Sequence, residues 1–220
     1  MSNNLVIDMD GVLVDWVLGF TRVLLAVQGR DIRLAYSTGA QQTWRFEDSG
    51  FDTPTVDKAW ELIKASPTFW QDLPTLLTEH ERDEVRRLIR TFDVKFVTSR
   101  PGINTKQQTE AWLHACGLDG GTVVVAENKL PLLMALQPVA ILEDKPSTIR
   151  EARKAGLPVC VRDWPYNRSL GTEDYTQRVS SITEFAHLVA PSLAPQAAPY
   201  TPQVPQVEGA IGGTANVHAY

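Results

Sequence analysis

The sequence predicts an α/β protein: a parallel five-stranded sheet flanked by helices, with a small helical segment inserted after the first strand. Three observations predict it. Short β-branched apolar runs recur along the chain, helical periodicities lie between most of them, and one interval is too long for a simple crossover. The runs occupy residues 5–7, 94–97, 123–125, 139–142 and 159–161. Each is continuous rather than alternating, the pattern of strands buried on both faces of a parallel sheet.

The helices follow in order. Residues 16–27 and 56–63 carry helical patterns, the second through Val56, Ala59, Trp60 and Ile63. Both fall between the first and second runs, where a structureless loop of that length is not expected. Val85, Leu88, Ile89 and Phe92 then repeat at helical spacing, as do Trp112, Leu113 and Cys116 before Gly117. Ile149, Ala152 and Ala155 form a stripe closed by Gly156, with Pro158 beyond. The last helix opens with a capping box, Ser181 to Glu184, buries Ile182, Phe185 and Val189, and stops at Pro191. Alternating strands and helices imply right-handed crossovers. The expected organisation is a core of residues 1–15 and 76–190, a helical cap of residues 16–75, and a tail of residues 191–220. The tail repeats Pro191, Pro195, Pro199, Pro202 and Pro205 among Ala and Gln, and is expected to be disordered and partly polyproline-II.

Composition bounds the function. The 220-residue chain has a formal charge of -5, 43% hydrophobic and 21% charged residues, ordinary for a soluble globular protein. Its acidic balance argues against long nucleic acid or an anionic membrane as partner. Cys116 and Cys160 make neither a disulfide framework nor a zinc site, and suggest a cytoplasmic protein with reduced thiols. No apolar run reaches the roughly 18 residues of a membrane span, and no secretory leader is expected.

The chemistry concentrates at strand ends. Asp8 and Asp10 stand two apart directly after the first run, followed by Gly11. In open α/β sheets ligands bind beyond the C-terminal strand ends. Two carboxylates this close repel unless a divalent cation or a shared proton compensates, and an oxygen-rich pocket with few ligands suits Mg²⁺. An ordinary Asp-Gly turn is the alternative on this segment alone. A calcium loop fails, because Gly19 occupies the twelfth position, where a Glu is required. Thr98-Ser99-Arg100 end the second strand, Lys129 follows the third, and Glu143-Asp144-Lys145 end the fourth.

Together DMDGVLVD, VKFVTSR, Lys129 and ILEDKP resemble the four motifs of the haloacid dehalogenase (HAD) superfamily of phosphohydrolases, over residues 1 to about 188. The resemblance implies a Rossmann-like, HAD-type sheet. It implies Asp8 as nucleophile, Asp10 as general acid and base, and Thr98 and Lys129 gripping the phosphoryl group. Mg²⁺ would be held by Asp8, the backbone carbonyl of Asp10, and Asp144. Asp10 counts against carbon–halogen cleavage. Within the superfamily the chain is most similar to the 5'(3')-deoxyribonucleotidases, through DMDGVLVDW, Gln42-Thr43-Trp44, Thr68-Phe69-Trp70 with Leu73-Pro74, and DWPYN at residues 163–167.

That similarity implies a nucleoside 5'-monophosphate substrate whose base stacks among Trp16, Trp44 and Phe69, with Ser99 and Lys145 also contacting substrate. Trp60, on an apolar stripe, is expected to fill the core. Glu143 and Lys145 depart from the Asp and Arg usual at these positions, and Lys cannot make the bidentate fork of Arg. Other small phosphometabolites, a nucleic-acid 3'-phosphate, or a non-catalytic binding role stay open. A homodimer is compatible with the sequence.

Overall fold

The computed structural model describes residues 3–190. The predicted tail, residues 191–220, lies outside the described residues. Six strands form a single parallel sheet in the order β3-β2-β1-β4-β5-β6. They are β1 (Asn4–Asp8), β2 (Asp93–Thr98), β3 (Thr122–Val125), β4 (Ala140–Glu143), β5 (Val159–Arg162) and β6 (Gln177–Val179). The five predicted strands are all present. The sixth is short and polar, Gln-Arg-Val, and pairs only at the sheet edge beside β5. An edge strand needs no second apolar face, so it leaves no apolar run in the sequence.

Sheet order places the site. The chain builds outward from β1 through β2 to β3, then returns to the other side of β1 for β4, β5 and β6. The neighbouring strands β1 and β4 therefore diverge in connection, and a crevice opens at their C-terminal ends. Asp8 ends β1 and Glu143 ends β4, so two of the acidic positions meet there.

Helices cover both faces. Leu5 and Ile7 point into one apolar cluster with Val85 and Leu88 of α3 (Glu79–Thr91), Trp112 of α4 (Thr105–Ala115) and Phe185 of α7 (Ile182–Val189). Val6 points the other way, to Leu133 of α5 (Leu130–Leu136) and Ile149 of α6 (Pro146–Lys154). Seven-residue α5 escapes the periodicity reading because it is barely two turns long. The box at α7 is also rearranged: Ser181 accepts from the Glu184 N–H, but the Glu184 carboxylate accepts from Ser180 instead of the cap residue. Val189 is only partly buried.

Between β1 and β2 stand α1 (Trp16–Val27), three short 3₁₀ turns and α2 (Thr53–Ala65). Asp15 caps α1 by accepting the Leu18 N–H, and also receives the Thr38 N–H and hydroxyl, which pins the following loop to the helix start. Asp52 caps α2 with Pro54 in its first turn. Phe20, Leu24, Phe46, Ala59 and Ile63 of this segment join the same apolar cluster as Leu5 and Phe96 of the sheet. No helix among the described residues is long and apolar enough to cross a membrane.

Candidate functional site

The backbone first creates room. After β1 the chain makes a tight turn in which Leu13 and Val14 N–H both return to the Met9 carbonyl. Gly11 sits in this turn at φ +79, and a Cβ there would lie 2.0 Å from Oδ2 of Asp144. Glycine is thus required twice, for the left-handed backbone and for the approach of a carboxylate to it.

Around that turn the strand ends bring charged groups together. The Lys129 ammonium, at the start of α5, donates to Asp8 Oδ1 at 2.6 Å and to Glu143 Oε2 at 2.8 Å. Glu143 Oε1 accepts the backbone N–H of Asp144 at 3.1 Å and of Lys145 at 3.0 Å. Asp144 accepts the Tyr166 hydroxyl through Oδ2, and its carbonyl accepts from Asn167 at 3.0 Å. Asn167 also donates to the Arg162 carbonyl, and Trp164 donates its indole N–H to the Gly11 carbonyl. The DWPYN segment therefore braces both the β4 tip and the glycine turn.

Three buried carboxylates crowd around one ammonium, which pairs with two of them, so charge is not balanced. Burial alone would lower the Lys129 pKa, but Asp8 and Glu143 together raise it. Burial likewise works against ionised Glu143, yet Lys129 and the Lys145 N–H hold its pKa below the usual carboxylate range. The excess falls on the other two. Burial, then the charge of Glu143, pushes Asp8 up to about 8 despite Lys129. Burial and the charges of Asp8 and Glu143 raise Asp144 well above its usual value.

That imbalance is what a divalent cation corrects. Asp8, Glu143 and Asp144 each offer an oxygen within 4.8 Å of the others, an all-oxygen set suited to Mg²⁺. The residues fit such an ion. Both Glu143 oxygens are already engaged by Lys129 and backbone amides, which leaves Asp8 and Asp144 as the stronger donors. The Asp10 carboxylate is not in this group. It turns instead to Arg100, whose Nε and one terminal nitrogen reach it at 2.7–3.1 Å, and accepts the Thr98 hydroxyl at 3.2 Å.

A cleft of about 1110 Å³ opens above these groups. Asp8, Asp10, Thr98, Ser99, Lys129, Asp144 and Lys145 all line it, as do Trp16 and Trp44. The Ser99 hydroxyl is spent on the Ala126 carbonyl at 3.0 Å. The Lys145 ammonium lies 5.8 Å from the Trp44 ring centre. Phe69 is the exception. It lines a separate, smaller pocket with Arg22, Val23 and Leu62, while its neighbour Trp70 faces the cleft. Their rings meet edge-on, so consecutive residues face different pockets. Trp60 was expected to fill the core. It packs 4.6 Å from Phe20 and also lines the cleft.

Sequence reasoning missed Arg100, Tyr166 and Asn167 as site residues and left Glu143 without a role. Arg100 carried a signal: a guanidinium at the tip of a buried strand needs a carboxylate, and Asp10 stands at the adjacent tip.

No family model matches the sequence, and neither does any curated protein. Solved structures do. A haloacid dehalogenase-like family hydrolase from Streptococcus pneumoniae superposes with TM-score 0.58 and 13% identity, covering 85% of this chain and 98% of that one. A HAD family hydrolase from Deinococcus radiodurans, with bound phosphate and sodium, gives TM-score 0.54, 12% identity and coverage of 87% and 96%. YfnB from Bacillus subtilis, provisionally assigned as a HAD-hydrolase and bound to magnesium, gives TM-score 0.51, 15% identity and coverage of 86% and 98%. The fold is that of the HAD-like hydrolases.

Proposed function

We propose that this chain is a Mg²⁺-dependent phosphatase acting through an aspartyl-phosphate on Asp8, with (deoxy)nucleoside 5'-monophosphates as substrates. The observation that carries this reading is the meeting of Asp8, Asp144 and Lys129 at the foot of an aromatic-walled cleft. Phosphoryl transfer asks mainly for positioning and charge neutralisation, and this group supplies both.

Asp8 attacks phosphorus, and the leaving oxygen takes the proton of Asp10. Water then attacks the aspartyl-phosphate while Asp10 takes its proton back. Lys129 orients the Asp8 oxygen and faces the phosphoryl group. The backbone amides of Asp144 and Lys145 fix Glu143, and Lys129 ties that β4 tip to Asp8 of β1. Asp8 and Asp144 would hold Mg²⁺, which would supply charge neutralisation for the phosphate. Residues 16–75 act as the cap that carries the recognition wall.

Trp16, Trp44 and Trp60, with Lys145 beside Trp44, offer a π-rich wall near a cation, with Trp16 and Trp60 stacked and Trp44 tilted 48° to Trp16, the chemistry of a nucleobase next to its phosphate. Trp60 takes the place foreseen for Phe69. The free thiols of Cys116 and Cys160 are in keeping with a cytoplasmic location. The test is phosphate release from a panel of nucleoside monophosphates and sugar phosphates, with and without Mg²⁺, in wild type and Asp8→Asn. Mg²⁺-dependent release that favours nucleotides and vanishes in the variant is expected. Equal rates across the panel refute the nucleotide assignment, and undiminished release by Asp8→Asn refutes the mechanism.

A further inference from the structure

Arg100 is 3% exposed, yet no water-facing role explains its burial. Its Nε donates to both Asp10 oxygens, at 3.1 and 2.9 Å, and a terminal nitrogen donates to Oδ1 at 2.7 Å. The other terminal nitrogen donates to the Thr109 hydroxyl in α4 at 2.9 Å, and that hydroxyl is itself anchored on the Thr105 carbonyl. The Trp70 ring lies over the guanidinium, 5.0 Å from centre to centre. Trp70 is held in turn by Gln108, which accepts its backbone N–H at 2.9 Å, and by the Pro101 carbonyl, which accepts its indole N–H at 3.1 Å. Gln108 also donates to the Ser66 carbonyl, just beyond α2.

We propose that Arg100 is a positioning residue: it fixes the Asp10 carboxylate against the cleft and, through Trp70, ties that orientation to the docking of the segment between β1 and β2. The inference rests on the phosphatase reading above. Without the fork, Asp10 keeps only the Thr98 hydroxyl at 3.2 Å, one contact about which the carboxylate is free to rotate. A lysine has charge but no planar fork, and does not restore the geometry. Both proton transfers of Asp10 depend on that geometry, but only the first differs between substrates, and kcat/KM reports it. As the Asp8 oxygen bonds phosphorus, the bond to the leaving oxygen breaks with its electron pair, and that oxygen takes the Asp10 proton. Asp10, now a carboxylate, is the form the guanidinium fork fits.

A leaving group that is stable as an anion does not need that proton, and an alkoxide does. The test compares wild type, Arg100→Lys, Arg100→Met and Trp70→Leu on p-nitrophenyl phosphate and on the alkyl phosphate that the wild type turns over fastest in the nucleotide and sugar phosphate panel. For both Arg100 variants, kcat/KM on the alkyl phosphate should fall by about 100-fold, within the range for general-acid contributions. On p-nitrophenyl phosphate kcat/KM should fall less than about fivefold. Trp70→Leu should show the same selective pattern at about tenfold. Far-UV circular dichroism checks folding, and Arg100→Lys, which keeps the charge, stands for the position if Arg100→Met does not fold. Equal losses on the two substrates, or a rise in KM alone, overturn the inference and leave the phosphatase reading intact. A wild type inactive on every ester overturns both.

Discussion

Replacing Lys129 with Met removes the ammonium that Asp8 and Glu143 share, and the cost follows from the geometry. The substitution breaks contacts of 2.6 and 2.8 Å among side chains that are 8% exposed or less. Stripping one partner from a buried ion pair costs about 3–5 kcal/mol, because the charge left behind stays desolvated. For a domain of this size each kcal/mol moves Tm by about 2–4 °C, so a fall of about 6–20 °C is expected at pH 8 in EDTA. The loss has a pH signature. Lys129 lowers the Glu143 pKa, so the pair contributes stability that is present above the ordinary value of 4.5 and is lost as pH falls through the depressed folded value. Deleting Lys129 removes that contribution, so the variant and wild-type curves should diverge as pH rises and approach each other in acid. Added Mg²⁺ should restore part of the deficit at pH 8. Thermal melts by circular dichroism at about pH 3 and at pH 8, below and above the window in which Glu143 titrates, each with EDTA and with Mg²⁺, measure all of this. An equal deficit at both pH values, or none at either, would refute the claim that charge pairing holds this cluster.

Three further outcomes are expected. Asp8, pushed up to about 8, favours the metal-free fold while protonated; that stability is present below its ordinary 3.8 and lost as pH rises through the folded value. Mg²⁺ binding should accordingly release a proton below pH 8 and tighten by up to about tenfold per pH unit; titration calorimetry in buffers of different ionisation enthalpy counts the proton. Gly11→Ala places a methyl 2.0 Å from Asp144 Oδ2 at φ +79. It should cost at least about 1–2 kcal/mol in stability and abolish Mg²⁺-stimulated turnover, read by melting and phosphate release. Trp44→Leu should raise KM for nucleoside monophosphates about 5- to 100-fold, as expected for one lost base stack. It should leave p-nitrophenyl phosphate kinetics unchanged; a matching loss on both substrates would make Trp44 a structural residue.

Much of the fold is legible because its central strands have no polar face. Leu5, Val6 and Ile7 are all buried, as are Ile141 and Leu142 beside them, so continuous apolar runs mark these strands. Edge strand β6 and the short α5 lack that requirement and leave no such mark. At the site, Asp8, Asp144 and Lys129 are legible because each stands at a strand end or the turn beyond it. Phe69 is not. Whether it or Trp70 faces the cleft depends on a turn after α2 that has no fixed period, and Gln108 settles it by accepting the Trp70 N–H. Glu143 reads as a conservative departure in sequence, but its two backbone contacts and its share of Lys129 are tertiary facts.

Two aspartates two residues apart end in unlike surroundings, and in the proposed mechanism this is what would let them divide the chemistry. Asp8 continues the strand into a crevice where Glu143 and Asp144 crowd it and a single ammonium is shared. Asp10 lies beyond buried Met9, in the turn that Gly11 allows, and receives a guanidinium of its own together with a hydroxyl. A nucleophilic carboxylate must be ionised to offer its oxygen lone pair; the first environment is short of positive charge, so a bound cation would be what keeps it so. A proton carrier needs fixed geometry and a partner for its ionised form; the second provides both. Arg100 and Thr98 hold the Asp10 side, while Lys129 pairs with Asp8 and Glu143. The separation is incomplete, because beside burial and Glu143 the charge of Asp10 also raises the Asp8 pKa. A double variant, Arg100→Met with Lys129→Met, should therefore show stability losses that depart from additivity by more than about 0.5 kcal/mol, as neighbouring charged sites do. Losses that add to within that margin would mean that Asp8 and Asp10 are electrostatically independent.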